Sequence, residues 1–108
     1  MFAFGDDEWP GLAKLAEESG EVLAVIGRLM ATHGERVHFD GSDLRTSLLR
    51  ELADLRAASD FVLGSLSPDE RGMVTELSED KLRLFQHWHR EALRPMAGGD
   101  QDSGIKHA

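Results

Sequence analysis

Five acidic side chains, carried on two segments of the chain, are of the residue type that binds hard metal ions. The segment KLAEESGEVLAVIG contains Glu17, Glu18 and Glu21, and the segment LLRELADLRAASDFV contains Glu51 and Asp54. Carboxylate oxygens are usual protein ligands of Mg²⁺ and Ca²⁺. Whether these acids can act together depends on the elements that position them.

The first segment has the periodicity of an amphipathic helix, and its three acids are not equivalent on that helix. At about 100° per residue, Glu18 falls within the apolar stripe, between Val25 and Leu29. Glu21 borders the stripe, and Glu17 lies outside it. We therefore expect the Glu18 side chain to point inward.

The second segment repeats this arrangement. Glu51 lies beside an apolar stripe that contains Leu48 and Leu55, and Asp54 follows three residues later. Residues three apart on a helix are neighbours, one turn apart on the same face. A second helix is thus also expected to bring a pair of acids to its packing face.

Acids that meet between two packed helices need a positive partner, because an unpaired buried carboxylate is costly and would otherwise take up a proton. The inward arcs of both helices hold no Lys or Arg. With oxygen ligands only, a hard divalent cation is favoured, Mg²⁺ first and Mn²⁺ as a substitute. An alternative stays open, in which the acids form a solvated face with ion pairs to Lys14 and Arg28.

The composition narrows the class of protein. The chain has 108 residues, which fits one domain, and 41% of them are apolar, so it should fold. Asp and Glu outnumber Lys and Arg by 20 to 12, and the net charge of -8 argues against duplex nucleic acid as a main partner. The chain has no Cys, which excludes disulfides, thiolate metal sites and cysteine nucleophiles.

No segment of the sequence is typical of a membrane span or of a signal peptide. No apolar run approaches the roughly 18 residues that a span needs. The opening residues, MFAFGDDEWPG, contain neither a basic region nor a long apolar core. We expect no membrane partner and a cytoplasmic location.

Start and stop signals predict the first two helices. The first should begin at Pro10 and stop at Gly34, because Pro is favoured in a first turn and Gly ends helices. The second should follow a cap at Ser42 or Asp43 and end near Gly64.

A capping box predicts the third helix. Ser67 would be the cap, Pro68 the first helical residue and Glu70 the third. This helix should run to about Leu93, and Pro95 should end it.

The whole pattern indicates one all-α domain. No segment is typical of a strand, and we expect residues 1–94 to form the domain and the polar, Gly-rich residues 95–108 to form a flexible tail. A chain this short buries a limited fraction of its surface, so oligomerisation is a possibility.

The five acids also match a family pattern. Glu17-Glu18-x-x-Glu21, followed by Glu51-x-x-Asp54, resembles the EExxE…ExxD signature of the MazG-like, all-α nucleotide pyrophosphohydrolases. KLAEESGEV resembles the first motif helix of that family and LLRELADLRAASDFV the second, and the resemblance covers most of the chain. It implies a helical bundle of about three helices per chain, completed by assembly into a homo-oligomer, a dimer or a tetramer.

The resemblance also implies an activity. Members hydrolyse nucleoside triphosphates, (d)NTP to (d)NMP and pyrophosphate, with Mg²⁺, and so clean or regulate the nucleotide pool. Carried over by position, the metal ligands would be Glu18, Glu21, Glu51 and Asp54. Glu17 would be an outer acid that holds a second metal or helps to position the attacking water. Such hydrolysis needs no protein nucleophile, since a metal activates water and a carboxylate can act as general base.

Three further residues are candidates for binding the substrate. The resemblance places a basic residue on the third helix, where Lys81 could reach the phosphates, although it could also belong to a solvated basic face. In the loop before the second helix, Phe39 could stack on a base and Asp40 could read its edge. The same loop could instead be an ordinary turn that leads to a helix cap.

A different class of function also fits the sequence. The chain could be a helical oligomerisation or regulatory module that binds metal structurally, or that binds nucleotide without turnover. The acids could also pair with basic residues of a neighbouring chain.

Overall fold

The computed structural model of the chain describes residues 7–35 and 43–94. Three α-helices follow one another, α1 at Leu12–Ala31, α2 at Leu44–Gly64 and α3 at Pro68–Leu93. No strand occurs among these residues, so the predicted all-α fold with three helices is confirmed. None of the three is long and apolar enough to cross a membrane.

The chain divides into two compact units. The first is Met1–Leu66, which contains α1 and α2, and the second is Ser67–Ala108, which contains α3. The predicted single domain over 1–94 stays a prediction. The expected tail, residues 95–108, lies outside the described residues.

Helices α1 and α2 pack against each other along a small apolar core. Val22 and Val25 of α1 are buried, as are Leu44 and Ala58 of α2, and Leu44 is 0% exposed. The helices run antiparallel, since the start of α1 at Gly11 lies against the end of α2 at Phe61 and Val62. This pairing is the framework on which the acids are placed.

Helix α2 covers only part of the apolar stripe that the periodicity predicts on α1. Leu23 and Met30 are 67% and 73% exposed, and Ile26 is also exposed. The reason is geometric, because the predicted stripe is wide and one neighbouring helix shields only the side that faces it.

Local signals set most helix ends where the sequence predicts them. The carboxylate of Asp43 accepts hydrogen bonds from the backbone N–H groups of Arg45 and Thr46, which caps α2. The Ser67 hydroxyl accepts from the Glu70 N–H at 3.2 Å, and the Glu70 carboxylate accepts from the Ser67 N–H at 2.9 Å. The predicted capping box of α3 is therefore confirmed.

The start of α1 differs slightly from the prediction. The helix begins at Leu12 rather than at Pro10, because Gly11 takes a left-handed conformation with φ of 81°. A Cβ added at position 11 would lie 2.5 Å from Phe61 Cδ1 and 3.2 Å from Val62 Cγ2. Only glycine combines that backbone conformation with so close an approach of α2.

We expect substitutions at Gly11 and Gly20 to have opposite effects on stability. Gly11→Ala should lower the free energy of unfolding by about 1–2 kcal/mol or more, because a side chain is strained in the left-handed region and meets Phe61. Gly20→Ala should raise it by about 0.5–1 kcal/mol, because Gly20 is helical and nothing lies within 4 Å of an added Cβ. Urea denaturation followed by circular dichroism measures both values, and equal effects of the two substitutions would contradict the prediction.

Candidate metal centre

Three carboxylates from two helices meet at one side of the α1–α2 pair. Glu18, Glu51 and Asp54 each offer one oxygen, and these oxygens all lie within 4.8 Å of one another. Glu51 and Asp54 are one turn apart on α2, and the antiparallel packing brings Glu18 of α1 opposite them. The sequence predicted that the two helices would bring their acids together, and the structure places these three as one group.

Glu18 is the most constrained member of this group. Its side chain is only 9% exposed, and its Oε2 atom is buried without a hydrogen-bond partner among the described residues. Burial is the main cause that raises the pKa of Glu18, and the negative charges of Asp54, Glu17 and Glu51 raise it further. Without a cation, this environment thus opposes the charged form of the carboxyl group.

Lys14 is the cation nearest in sequence to the buried acid, one turn before Glu18 on α1. Its ammonium group donates a hydrogen bond to Glu17 Oε1 at 2.9 Å, and this bond and the charge of Glu17 raise the pKa of Lys14. The positive charge of Lys14 lowers the pKa of Glu18, but it offsets only part of the effect of burial and of Asp54. Lys14 therefore compensates the acidic group incompletely.

A cavity of about 460 Å³ opens beside the acids. Glu18 and Asp54 line it together with Lys14 and with the apolar residues Ala57, Ala58 and Phe61. The acids are thus reachable by a ligand that enters between the two helices.

The other predicted site residues have different positions. Glu21 is exposed and is not part of the three-acid group, and Glu17 is exposed and paired with Lys14. Lys81 is exposed on α3, in the second unit, next to Leu77 and Leu84. Their predicted roles stay predictions.

Two of the predicted substrate-binding residues cannot be placed. Phe39 and Asp40 lie between the described ranges 7–35 and 43–94. Base contacts from this loop also stay a prediction.

The donor set fits a hard divalent cation. It consists of carboxylates only, it carries three negative charges when ionised, and one of its oxygens is buried with no hydrogen-bond partner in the described part of the chain. Mg²⁺ and Mn²⁺ accept such ligands and complete their coordination with water or with phosphate oxygens. Glu18, Glu51 and Asp54 are therefore the residues that could hold the ion.

Sequence reasoning missed two residues that line this cavity, Lys14 and Phe61. The sequence suggests Lys14 only as an ion-pair partner of a solvated acidic face, whereas the structure places it in the lining of the cavity. The signal was present, since Lys14 precedes Glu18 by four residues and so lies one turn away on the same side. Phe61 carries a similar signal, since it follows Asp54 by seven residues and so lies two turns away on the same face of α2.

Comparisons of the chain with protein-family models, with curated proteins and with solved structures find no match. The case for a function therefore rests on the residues and the geometry of the chain itself.

The raised pKa of Glu18 predicts a specific dependence of stability on pH in metal-free protein. A carboxyl group whose pKa is higher in the folded state binds more protons when folded, so stability falls as the pH rises from about 4.5, its ordinary value, through the raised value. Glu18→Gln removes this loss, so the variant should melt above the wild type at pH 7 in EDTA. The difference in melting temperature should shrink as the pH falls towards 4.5.

Glu21→Gln is the matched control for this measurement. It removes the same charge from an exposed position on the same helix. A Glu18→Gln curve that follows the Glu21→Gln curve at every pH would show that burial of Glu18 does not control the effect.

Proposed function

We propose that the chain is a Mg²⁺-dependent nucleoside triphosphate pyrophosphohydrolase of the MazG-like type, which converts (d)NTP to (d)NMP and pyrophosphate in the cytoplasm. The observation that carries the proposal is the convergence of Glu18, Glu51 and Asp54 beside an open cavity. One oxygen of Glu18 is buried there without a hydrogen-bond partner within residues 7–35 and 43–94. The order and spacing of the acids in the sequence, with Glu17 and Glu21, supports the same proposal.

Each acid has a proposed role. Glu18, Glu51 and Asp54 would hold Mg²⁺ between α1 and α2. Glu21 lies outside this group, so its role as a fourth ligand rests on the sequence motif alone. When bound, Mg²⁺ would neutralise phosphate charge and make water a better nucleophile. Glu17, which is exposed and paired with Lys14, would accept a proton from the attacking water.

In the proposed reaction, water attacks the substrate directly and no covalent enzyme intermediate forms. Water attacks the α-phosphorus, the bond from this atom to the α–β bridging oxygen breaks, and pyrophosphate leaves with that oxygen. The proton of the water goes first to a carboxylate and then to solvent. The housecleaning role in the nucleotide pool is the physiological part of the proposal.

Exposed apolar surface supports the proposed assembly into a homo-oligomer. On α3, Val74, Leu77 and Leu84 follow one another at spacings of three and seven residues, and all are exposed. This spacing forms a stripe along one side of a helix. Helix α1 exposes apolar residues too, so a second copy of the chain is the proposed partner.

The activity predicts pyrophosphate release that depends on the three acids. Purified chain with Mg²⁺ should release pyrophosphate from at least one member of a panel of common, deaminated and oxidised (d)NTPs. Glu18→Gln and Asp54→Asn should each lower kcat/KM by about 100-fold or more, because a lost ligand should cost at least as much as a lost outer-shell partner. A coupled pyrophosphate assay measures the rates.

Asp60→Asn is the control for Asp54→Asn, since Asp60 is exposed on α2 and is not part of the acid group. Full activity of Glu18→Gln or Asp54→Asn would refute the site. If calorimetry shows Mg²⁺ binding that these variants lose, but no pyrophosphate appears with any nucleotide, the non-catalytic metal-binding module is the correct function.

The assembly predicts a native mass above that of one 11.9 kDa chain. Light scattering after size-exclusion chromatography should give a multiple of that mass. Leu77→Asp should lower the mass, because it places a charge in the apolar stripe. Thr75→Asp adds the same charge two residues away, on another side of α3, and should leave the mass unchanged; a monomeric wild type would contradict the proposed assembly.

A further inference from the structure

The groove beside the acids continues towards the start of α1. A second cavity, of about 300 Å³, is lined by Gly11, Lys14, Ala58 and Phe61. Lys14, Ala58 and Phe61 also line the cavity that contains Glu18 and Asp54. The three shared residues join the two cavities into one surface, which we call the α1–α2 groove.

Helical periodicity explains why these residues lie along one line. On α2, Asp54, Ala58 and Phe61 are separated by four and three residues, so they lie on the same face. Lys14 and Glu18 of α1 are four residues apart and also share a face, and Gly11 directly precedes that helix. The antiparallel packing therefore sets the acids at one end of the groove and Gly11 with Phe61 at the other.

Phe61 is exposed and also close to a neighbouring segment of the chain. It is 64% exposed, so one side of this aromatic residue is open to a ligand. One edge of the ring rests on the backbone of Gly11, where even a Cβ would be 2.5 Å from Phe61 Cδ1. The ring thus lies close to Gly11, while much of the residue stays accessible.

We infer that Phe61 is the platform on which the nucleobase of the substrate stacks, and that Lys14 contacts the phosphate chain between this ring and the acid group. The inference deepens the proposed function and rests on it for the identity of the ligand. Seven residues separate Asp54 and Phe61, or about 10 Å along the axis of α2, so a ligand that touches both must be extended. A nucleoside triphosphate is extended, anionic at one end and planar and aromatic at the other.

The chemistry of the groove also determines how the base is recognised. Among the described residues that line it, Lys14 is the one hydrogen-bonding side chain near Phe61, and the remaining neighbours are Gly11 and Ala58. Stacking on an aromatic ring tolerates every base, because each base presents a π-face. The groove by itself should therefore select for the presence of a base and only weakly for its identity.

Equilibrium binding in Mg²⁺ tests this inference without depending on turnover. The probes are a nucleoside triphosphate analogue with a methylene bridge between the α- and β-phosphates, and inorganic tripolyphosphate, which has no base. Calorimetry gives Kd for each probe. Phe61→Ala should raise Kd for the analogue by about tenfold or more. It should change Kd for tripolyphosphate by no more than about twofold.

Three further variants separate stacking from packing. Phe61→Leu keeps an apolar contact with Gly11 but has no aromatic face, so it should behave like Phe61→Ala. Phe61→Trp should retain the affinity for the analogue. Val62→Ala is the matched control, because Val62 also lies near Gly11 but does not line the groove, and it should change neither Kd.

Lys14→Gln tests the phosphate contact. It should raise Kd for both probes by a similar factor, since both carry the phosphate chain. An effect on the analogue alone would overturn the assigned role of Lys14.

The outcomes distinguish the inference from the proposed function. If Phe61→Ala leaves Kd for the analogue unchanged, or weakens both probes equally, while the wild type releases pyrophosphate, the stacking platform is wrong and the enzyme stands. If binding of the analogue depends on Phe61 but no nucleotide is hydrolysed, the stacking inference is supported and the proposed enzyme activity is wrong. If the wild type does not bind the analogue at all, both are overturned.

Discussion

The desolvation of one carboxyl group, that of Glu18, is the constraint on which the rest of the structure depends. The apolar core between α1 and α2 is small, so it contributes little free energy to offset a buried acid. The charged form of that acid costs more to bury than the neutral form. The arrangement is acceptable if a cation compensates that charge, or if the group takes up a proton. The packing of α1 against α2 thus also determines where Glu18, Glu51 and Asp54 meet.

Much of the secondary structure could be predicted because its signals are local. Asp43 caps α2 and the Ser67 capping box starts α3, each through hydrogen bonds within three residues along the chain. The inward position of Glu18 could be predicted for the same kind of reason, since the direction of a side chain on a helix follows from spacing alone. The start of α1 was misplaced because the left-handed conformation of Gly11 is linked to its contact with α2.

The composition of the site was harder to predict, because it depends on contacts between helices. Spacing alone indicates which residues share a face, but not how far one helix is shifted along another. Glu21 and Asp54 have similar positions on their own helices, yet only Asp54 joins Glu18 and Glu51. Phe61 and Lys14 share faces with Asp54 and Glu18 by their spacing, but only the packing of α1 against α2 shows that these faces line one cavity.

The antiparallel alignment of α1 and α2 has a consequence for how the length of the chain can change. Gly11 faces Phe61 and Glu18 faces Asp54, so both ends of the groove share one helical phase. Inserting or deleting a single residue between Gly11 and Glu18, or between Asp54 and Phe61, would turn one end by about 100° relative to the other. A length change outside both spans preserves that phase, so natural variants of this chain should differ in length at their ends and between the helices, and keep these two intervals constant.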